Sequence, residues 1–353
     1  MDEGRSELEL LLTAVRASDT PVPPRLEAAV RRWRRPLRIQ VTGRSRAGKT
    51  TVQRALALLA AEETASVDVP GQPEPVLDGD LVLYILAGAP HPADRAVLAT
   101  VPPERMLLVL NKADAIGSRW SDAVTAAERC AEEFGMAVHP VVATLAAHTR
   151  SGIVTDAERA TLCRHRDHPD PTFALVPERF TDPAFGSDTA DRKALLARWP
   201  LPGLVCALSA LRYRPELSSG RILQILHAAS GIDPLHADLR RRCEAHAARR
   251  GGELLDELTR LAACRIPVRD RIETYLRGDE ALALGLRAGL SSPALARLPA
   301  TDPAPTDPDQ ALAHAAHWRA VVAADITPDA RRAALRIHDG YIRLWERLTD
   351  ARL

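Results

Sequence analysis

One short run constrains this chain more than any other. Gly43-x-x-x-x-Gly48-Lys49-Thr50 lies between the apolar stretch Leu37 to Val41 and a segment from Thr51 to Ala61 with helical composition. Glycines let backbone amides turn inward around an anion, and the helix that follows points its positive end at the same place. A strand, a glycine turn and a helix in that order open an α/β unit. Only three of the 353 residues are lysines, and Lys49 is one of them. A planar guanidinium does not replace a compact ammonium inside so tight a loop, so arginine-rich drift in composition stops at this position. Gly43, Arg44, Ser45, Arg46, Ala47, Gly48, Lys49 and Thr50 are therefore expected to line phosphates. Lys49 would neutralise the β and γ groups, the Thr50 hydroxyl would ligate Mg2+, and the Thr51 amide would reach the α-phosphate.

Strands and helices alternate from Leu37 to about Leu145. Leu37–Val41, Ala65–Val69, Leu81–Leu86, Met106–Leu110 and Val138–Val142 read as strands, with helices at Thr51–Ala61 and Ser121–Glu133. Apolar strands joined through helices close most naturally as a mostly parallel sheet covered on both faces. Before this region, Leu8, Leu11, Leu12 and Val15 form a helical stripe that needs a partner surface. After it the pattern is helical. The expected organisation is an α/β domain over 37–150, a loop-rich connection over 151–198 and an all-α helical domain over 199–353. The helices of 1–36 would pack on that last domain. Within it, Gly251-Gly252 marks either a hinge or a helix boundary, and Ala334, Ile337, Tyr341, Leu344 and Leu348 make a coiled-coil-like seam.

Composition narrows the class. A formal charge of +1 argues against a nucleic-acid partner. The five cysteines have no paired spacing, which fits thiols in a reducing compartment. No basic-then-apolar leader opens the chain and no apolar run is long enough to span a bilayer, so a cytoplasmic location is expected. Cys163, His165 and His168 lack a distant second pair of ligands and do not read as a zinc site.

The base is chosen elsewhere. Asn111-Lys112-Ala113-Asp114 directly follows the strand ending at Leu110. A carboxylate there can accept two hydrogen bonds from guanine, whereas adenine offers no such pair of donors. The Lys112 stem can cover the purine face, and Asn111 can tie this loop back to the glycine loop.

With these residues the stretch Leu37 to Leu145 resembles P-loop GTPases of the translation-factor class, in the dynamin-like and Era-like branch. Asp68-Val69-Pro70-Gly71 is similar to that class's DxPG segment, which implies that Asp68 holds magnesium through water and that the Gly71 amide senses the γ-phosphate. The base-contacting turn is most similar to Ala143-Thr144-Leu145. A second candidate, Ser209-Ala210-Leu211, is closer in spelling but lies in a helix. One departure stands out: few residues separate Lys49 from Asp68, so the first switch loop and its strand are missing, and Thr64, the nearest threonine, reads as the start of a strand. The resemblance thus implies a GTP- or GDP-binding protein with slow intrinsic hydrolysis, whose helical domain transmits the nucleotide state. The alternative is a non-hydrolysing regulatory subunit paired with a related GTPase. Gln72 and Arg46 are the compensating catalytic candidates beside Lys49, as a water-orienting amide and a guanidinium supplied in cis. For each the other reading is an exposed loop side chain. A homodimer or heterodimer and peripheral contact with the inner face of the membrane are the partners implied.

Overall fold

The computed structural model describes residues 6–17, 24–71, 73–170, 172–264, 267–299 and 301–351. Contacts divide the chain into two compact units, Leu37–Arg240 and the two termini, Met1–Pro36 with Arg241–Leu353.

The chain begins with α1 (Glu7–Arg16) and α2 (Pro24–Arg34). Ser6 starts α1 by accepting a hydrogen bond from the Glu9 amide, and Leu8, Leu11, Leu12 and Val15 form its buried stripe.

A five-stranded parallel sheet follows, built from β1 (Ile39–Gly43), β2 (Glu62–Glu63), β3 (Leu81–Ala87), β4 (Met106–Asn111) and β5 (Val138–Val141) in the order β2-β1-β3-β4-β5. Parallel pairing requires crossovers, and the connecting helices are α3 (Lys49–Ala55), α4 (Pro92–Leu98) and α5 (Trp120–Phe134). β4 is buried along its whole length and β3 along all but its last residue, as strands covered on both faces must be. Pairing of Gly43 with Ile85, Ala87 with Asn111 and Asn111 with Val141 brings the C-terminal ends of four strands to one edge. The strand order reverses between β1 and β3, the place where open α/β sheets form ligand crevices.

Two expectations from the sequence change here. The helix after the glycine loop ends at Ala55 instead of Ala61, because Ala57 takes a left-handed φ of 53° and Gln53 caps the turn by donating to Leu58 O and Ala61 O. The next strand is Glu62–Glu63 and not Ala65–Val69. Only the amides of Thr64 and Val67 continue along β1, to Val41 O and Gly43 O, because Ser66 turns out of the ladder to meet Lys49.

Beyond β5 come α6 (Ala143–Ser151), α7 (Asp156–His165), α8 (Pro177–Phe180), α9 (Thr189–Arg198), α10 (Leu201–Tyr213) and α11 (Ser219–Ala229). Their apolar faces share one core in which Val142 and Leu145 meet Leu162, Phe180, Trp199, Leu204 and Leu226. The Val142 amide donates to Ser230 O at 2.9 Å. Residues 151–240 therefore belong to the same compact unit as the sheet, and the chain divides at 240/241, not at 198/199. The helical pattern alone does not show which core a helix joins.

The remaining helices are α12 (Ile232–Ala263), α13 (Arg269–Arg277), α14 (Asp279–Leu290), α15 (Pro308–Ala323) and α16 (Pro328–Asp350). The α1 and α2 stripes bury against Leu254, Leu258, Ile272 and Tyr275, each large apolar side chain contributing about 1.5–3 kcal/mol. α12 runs through Gly251-Gly252 without interruption, so the pair is not a helix boundary. A β-carbon on Gly252 would lie 3.0 Å from that of Ala288, so this pair permits close packing against α14. In α16, Ala334, Ile337 and Tyr341 pack with Trp318 of α15 and Leu286 of α14 in a shared core instead of a two-helix seam. No single helix among the described residues is long and apolar enough to cross a membrane.

Candidate functional site

The loop after β1 begins and ends at glycines whose backbone no other residue could replace without strain. Gly43 has φ 144°, and a β-carbon there would lie 2.4 Å from Ile85 O on β3. Gly48 has φ 92°, and its β-carbon would lie 2.2 Å from Asn111 Nδ2. Between them Ala47 is buried, while Ser45 and Arg46 are exposed. Arg46 adopts the left-handed conformation at φ 56°. Lys49 is buried, and its Nζ donates to Gly43 O at 3.3 Å, Arg44 O at 3.2 Å and Ser66 Oγ at 2.8 Å. An ammonium held by three neutral oxygens, with no ion pair among the described residues, is in a state that favours an incoming anion.

Two acidic residues reach the same loop. Asp68 accepts from the Ser45 amide at 2.7 Å and from Ser45 Oγ at 3.1 Å. These bonds, the backbone one foremost, hold its carboxyl below the ordinary value of 3.8. Glu63 accepts from Thr50 Oγ1 at 2.7 Å. Thr64 instead donates to Thr42 Oγ1 at 2.8 Å, on the β1 side. Thr51 lies half-buried in the first turn of α3. Gly71 is exposed, with φ 78° and open space where a β-carbon would stand. Gln72 lies outside the described residues.

The side chain of Arg44 is committed elsewhere. It donates to Ala87 O at 2.9 Å and Ala89 O at 3.2 Å, and its Nε lies 3.1 Å from Asp94 Oδ2. Asp94 is fully buried and also receives the Tyr84 hydroxyl at 2.8 Å and the His91 amide at 2.7 Å. Burial first, then the neighbouring carboxylate, hold the Tyr84 phenol protonated far above its ordinary range. Arg44 thus pins the glycine loop to the β3–α4 connection, and its side chain is not free to serve that loop.

The second loop joins the first through one side chain. Asn111 Nδ2 donates to Ala47 O at 2.8 Å, and Asn111 Oδ1 accepts from the Ala143 amide at 3.2 Å. Lys112 is exposed with a left-handed φ of 58°. Asp114 is exposed and makes no hydrogen bond or ion pair with the other described residues. In the third segment only Thr144 is exposed, since Ala143 and Leu145 are buried and Leu145 belongs to the core. Ser209-Ala210-Leu211 falls inside α10 with Leu211 buried in that core, so it does not supply this turn.

Thr50, Glu63 and Asp68 offer hard oxygens, the donor type magnesium takes, but no group of three or more His, Cys, Asp or Glu with metal-holding geometry exists among the described residues. A set this sparse suits an ion whose shell is completed by phosphate and water. His165 Nε2 lies 2.8 Å from Asp188 Oδ2, and the ring stacks on Phe173.

Sequence reasoning missed Glu63, Ser66 and Asp94. The first two fall in a stretch whose strand register was misplaced, and Asp94 lies in a helix, α4, that only the Pro92 start signal could have revealed. Compared with known proteins, the chain matches no family model, no curated protein and no solved structure.

Proposed function

We propose that this chain binds a guanine nucleotide with magnesium, its phosphates on Gly43–Thr50 and its base at Asn111–Asp114, and turns it over slowly or not at all. The single observation that carries this reading is the Asn111 amide, which links the phosphate-loop carbonyl of Ala47 to the Ala143 amide and so fixes two loops with respect to each other. In this reading Lys49 exchanges its loop oxygens for phosphate oxygens, and the amides at the start of α3 bind the same anion. Thr50 and Asp68 hold the ion, with Glu63 alongside. Magnesium, when bound, neutralises phosphate charge. Asp114, which has no partner among the described residues, accepts hydrogen bonds from guanine. Thr144 presents its exposed position to the base.

Binding without turnover, as a regulatory subunit beside a fuller GTPase, is favoured by the short path from α3 to Asp68. It holds only the two-residue β2. Among the described residues no helix lies between Gly71 and β3. Those are the segments that close over a γ-phosphate in proteins of the resembled class. Beside Lys49, the exposed Arg46 is the cationic side chain of the loop available to stabilise the leaving phosphate.

Calorimetry with GDP, GTP and ATP in magnesium tests binding and base choice. Absence of association with either guanine nucleotide ends the proposal. Phosphate release, measured alone and at high protein concentration, separates the two forms: turnover that rises with concentration points to a dimerising GTPase, and none at all to the regulatory subunit.

A further inference from the structure

A cavity of about 700 Å³ lies beside the second loop. One side is the segment Ala113–Trp120 leading from β4 into α5, and the other is formed by Leu175, by Leu201 and Val205 in α10, and by the end of α11. The described residues lining it include Asp114 but not Lys112, Ala143 or Thr144, and none from Gly43–Thr50. It therefore adjoins the base-reading loop and shares Asp114 with the nucleotide site proposed above, while its remaining walls lie outside that site.

Its walls are apolar yet wet. Trp120, Leu175 and Val205 remain 44%, 68% and 38% exposed. Large apolar side chains gathered around one concavity are a feature of ligand sites, which also carry a few placed polar groups. The charged lining is one carboxylate and one guanidinium, Asp114 and Arg119, so a net charge on the ligand gains nothing. The Asp114 carboxylate, unpaired among the described residues, is an acceptor waiting for an N–H or O–H. The volume falls within the range of small-molecule sites.

We infer that this cavity binds an uncharged, mostly apolar small molecule of two or three rings carrying one hydrogen-bond donor, which it presents to Asp114.

The probe is N-phenyl-1-naphthylamine, which is neutral, has two aromatic parts and one N–H, and brightens when removed from water. Titrated into the full chain, it is expected to saturate at one probe per chain and to quench tryptophan emission through Trp120. Val205→Trp, which fills the cavity, should weaken binding by about tenfold or more. Leu175→Ala, at an exposed position that folding does not depend on, should weaken it by about fivefold. A rise that does not saturate overturns the inference, and so does wild-type affinity in Leu175→Ala together with a folded Val205→Trp. If Val205→Trp does not fold, Leu175→Ala decides alone.

Discussion

Gly48 and Asn111 approach so closely that a β-carbon on the glycine would lie 2.2 Å from the asparagine Nδ2. The absence of a side chain on one loop is what lets the amide of the other reach Ala47 O. Gly48→Ala should therefore cost about 1–3 kcal/mol of stability from backbone strain and clash, and should abolish guanine-nucleotide binding. Asn111→Ala should retain the strain-free backbone but lose affinity by about tenfold, through loss of the same link. Thermal denaturation and calorimetry on both variants check the pair. Equal affinity in all three proteins would disprove the coupling.

Lys49 is expected to be irreplaceable by arginine. Its buried ammonium fits three oxygens that a planar fork cannot meet together. Lys49→Arg and Lys49→Ala should both weaken GDP binding, by about 10- to 100-fold. Retained affinity in the arginine variant would show that any cation suffices.

The Ser45–Asp68 link should make stability depend on acid. Asp68 has a folded-state pKa below its ordinary value of 3.8, set first by the Ser45 amide. Its contribution is therefore fully present above 3.8 and is lost as pH falls through the lower folded-state value. Melting temperature measured from neutral pH downward should fall less steeply in Asp68→Asn than in the wild type. Superimposable profiles would mean that the link carries no stability.

Asp94 should behave as a buried hub. Asp94→Ala strands the buried Tyr84 hydroxyl and leaves the partly exposed Arg44 guanidinium with only Ala87 O and Ala89 O, at a cost of about 1–3 kcal/mol. Tyr84→Phe removes one neutral donor and should cost about 1 kcal/mol. Because Arg44 also belongs to the glycine loop proposed to hold phosphates, Asp94→Ala is expected to weaken nucleotide binding where Tyr84→Phe does not. Chemical denaturation and GDP titration read the two effects separately.

Arg192 holds the segment between α8 and α9. It is fully buried and donates to Phe180 O at 2.7 Å, Asp182 O at 3.1 Å, Gly186 O at 3.0 Å and Asp188 Oδ1 at 3.1 Å. Arg192→Ala should destabilise by about 3–5 kcal/mol, and Arg192→Lys should recover little of it, since one ammonium cannot span the set. Denaturation midpoints check this.

Much of the α/β unit was legible in the chain. β3 and β4 lie within one residue of their expected bounds because each is a continuous apolar run ended by a change of residue type. The edge strand was not legible: β2 consists of two exposed glutamates, whose pairing with Gln40 and Val41 is a consequence of where the turn at Ala57 delivers the chain. Nor did helical spacing reveal that α10 and α11 belong to the same compact unit as the sheet. An amphipathic stripe records that a face is buried and carries no address for its partner.

Residues adjacent in the chain were enough to place the glycine turn, its lysine, the start of the helix after it and the asparagine-to-aspartate loop after β4, since turn geometry and strand ends depend on immediate neighbours. Tertiary structure alone decided that Glu63 meets Thr50, that Ser66 meets Lys49, that Asp94 draws Arg44 away, and that a cavity opens beside Asp114. Those encounters join segments brought together by sheet register and helix packing, which many distant contacts set at once.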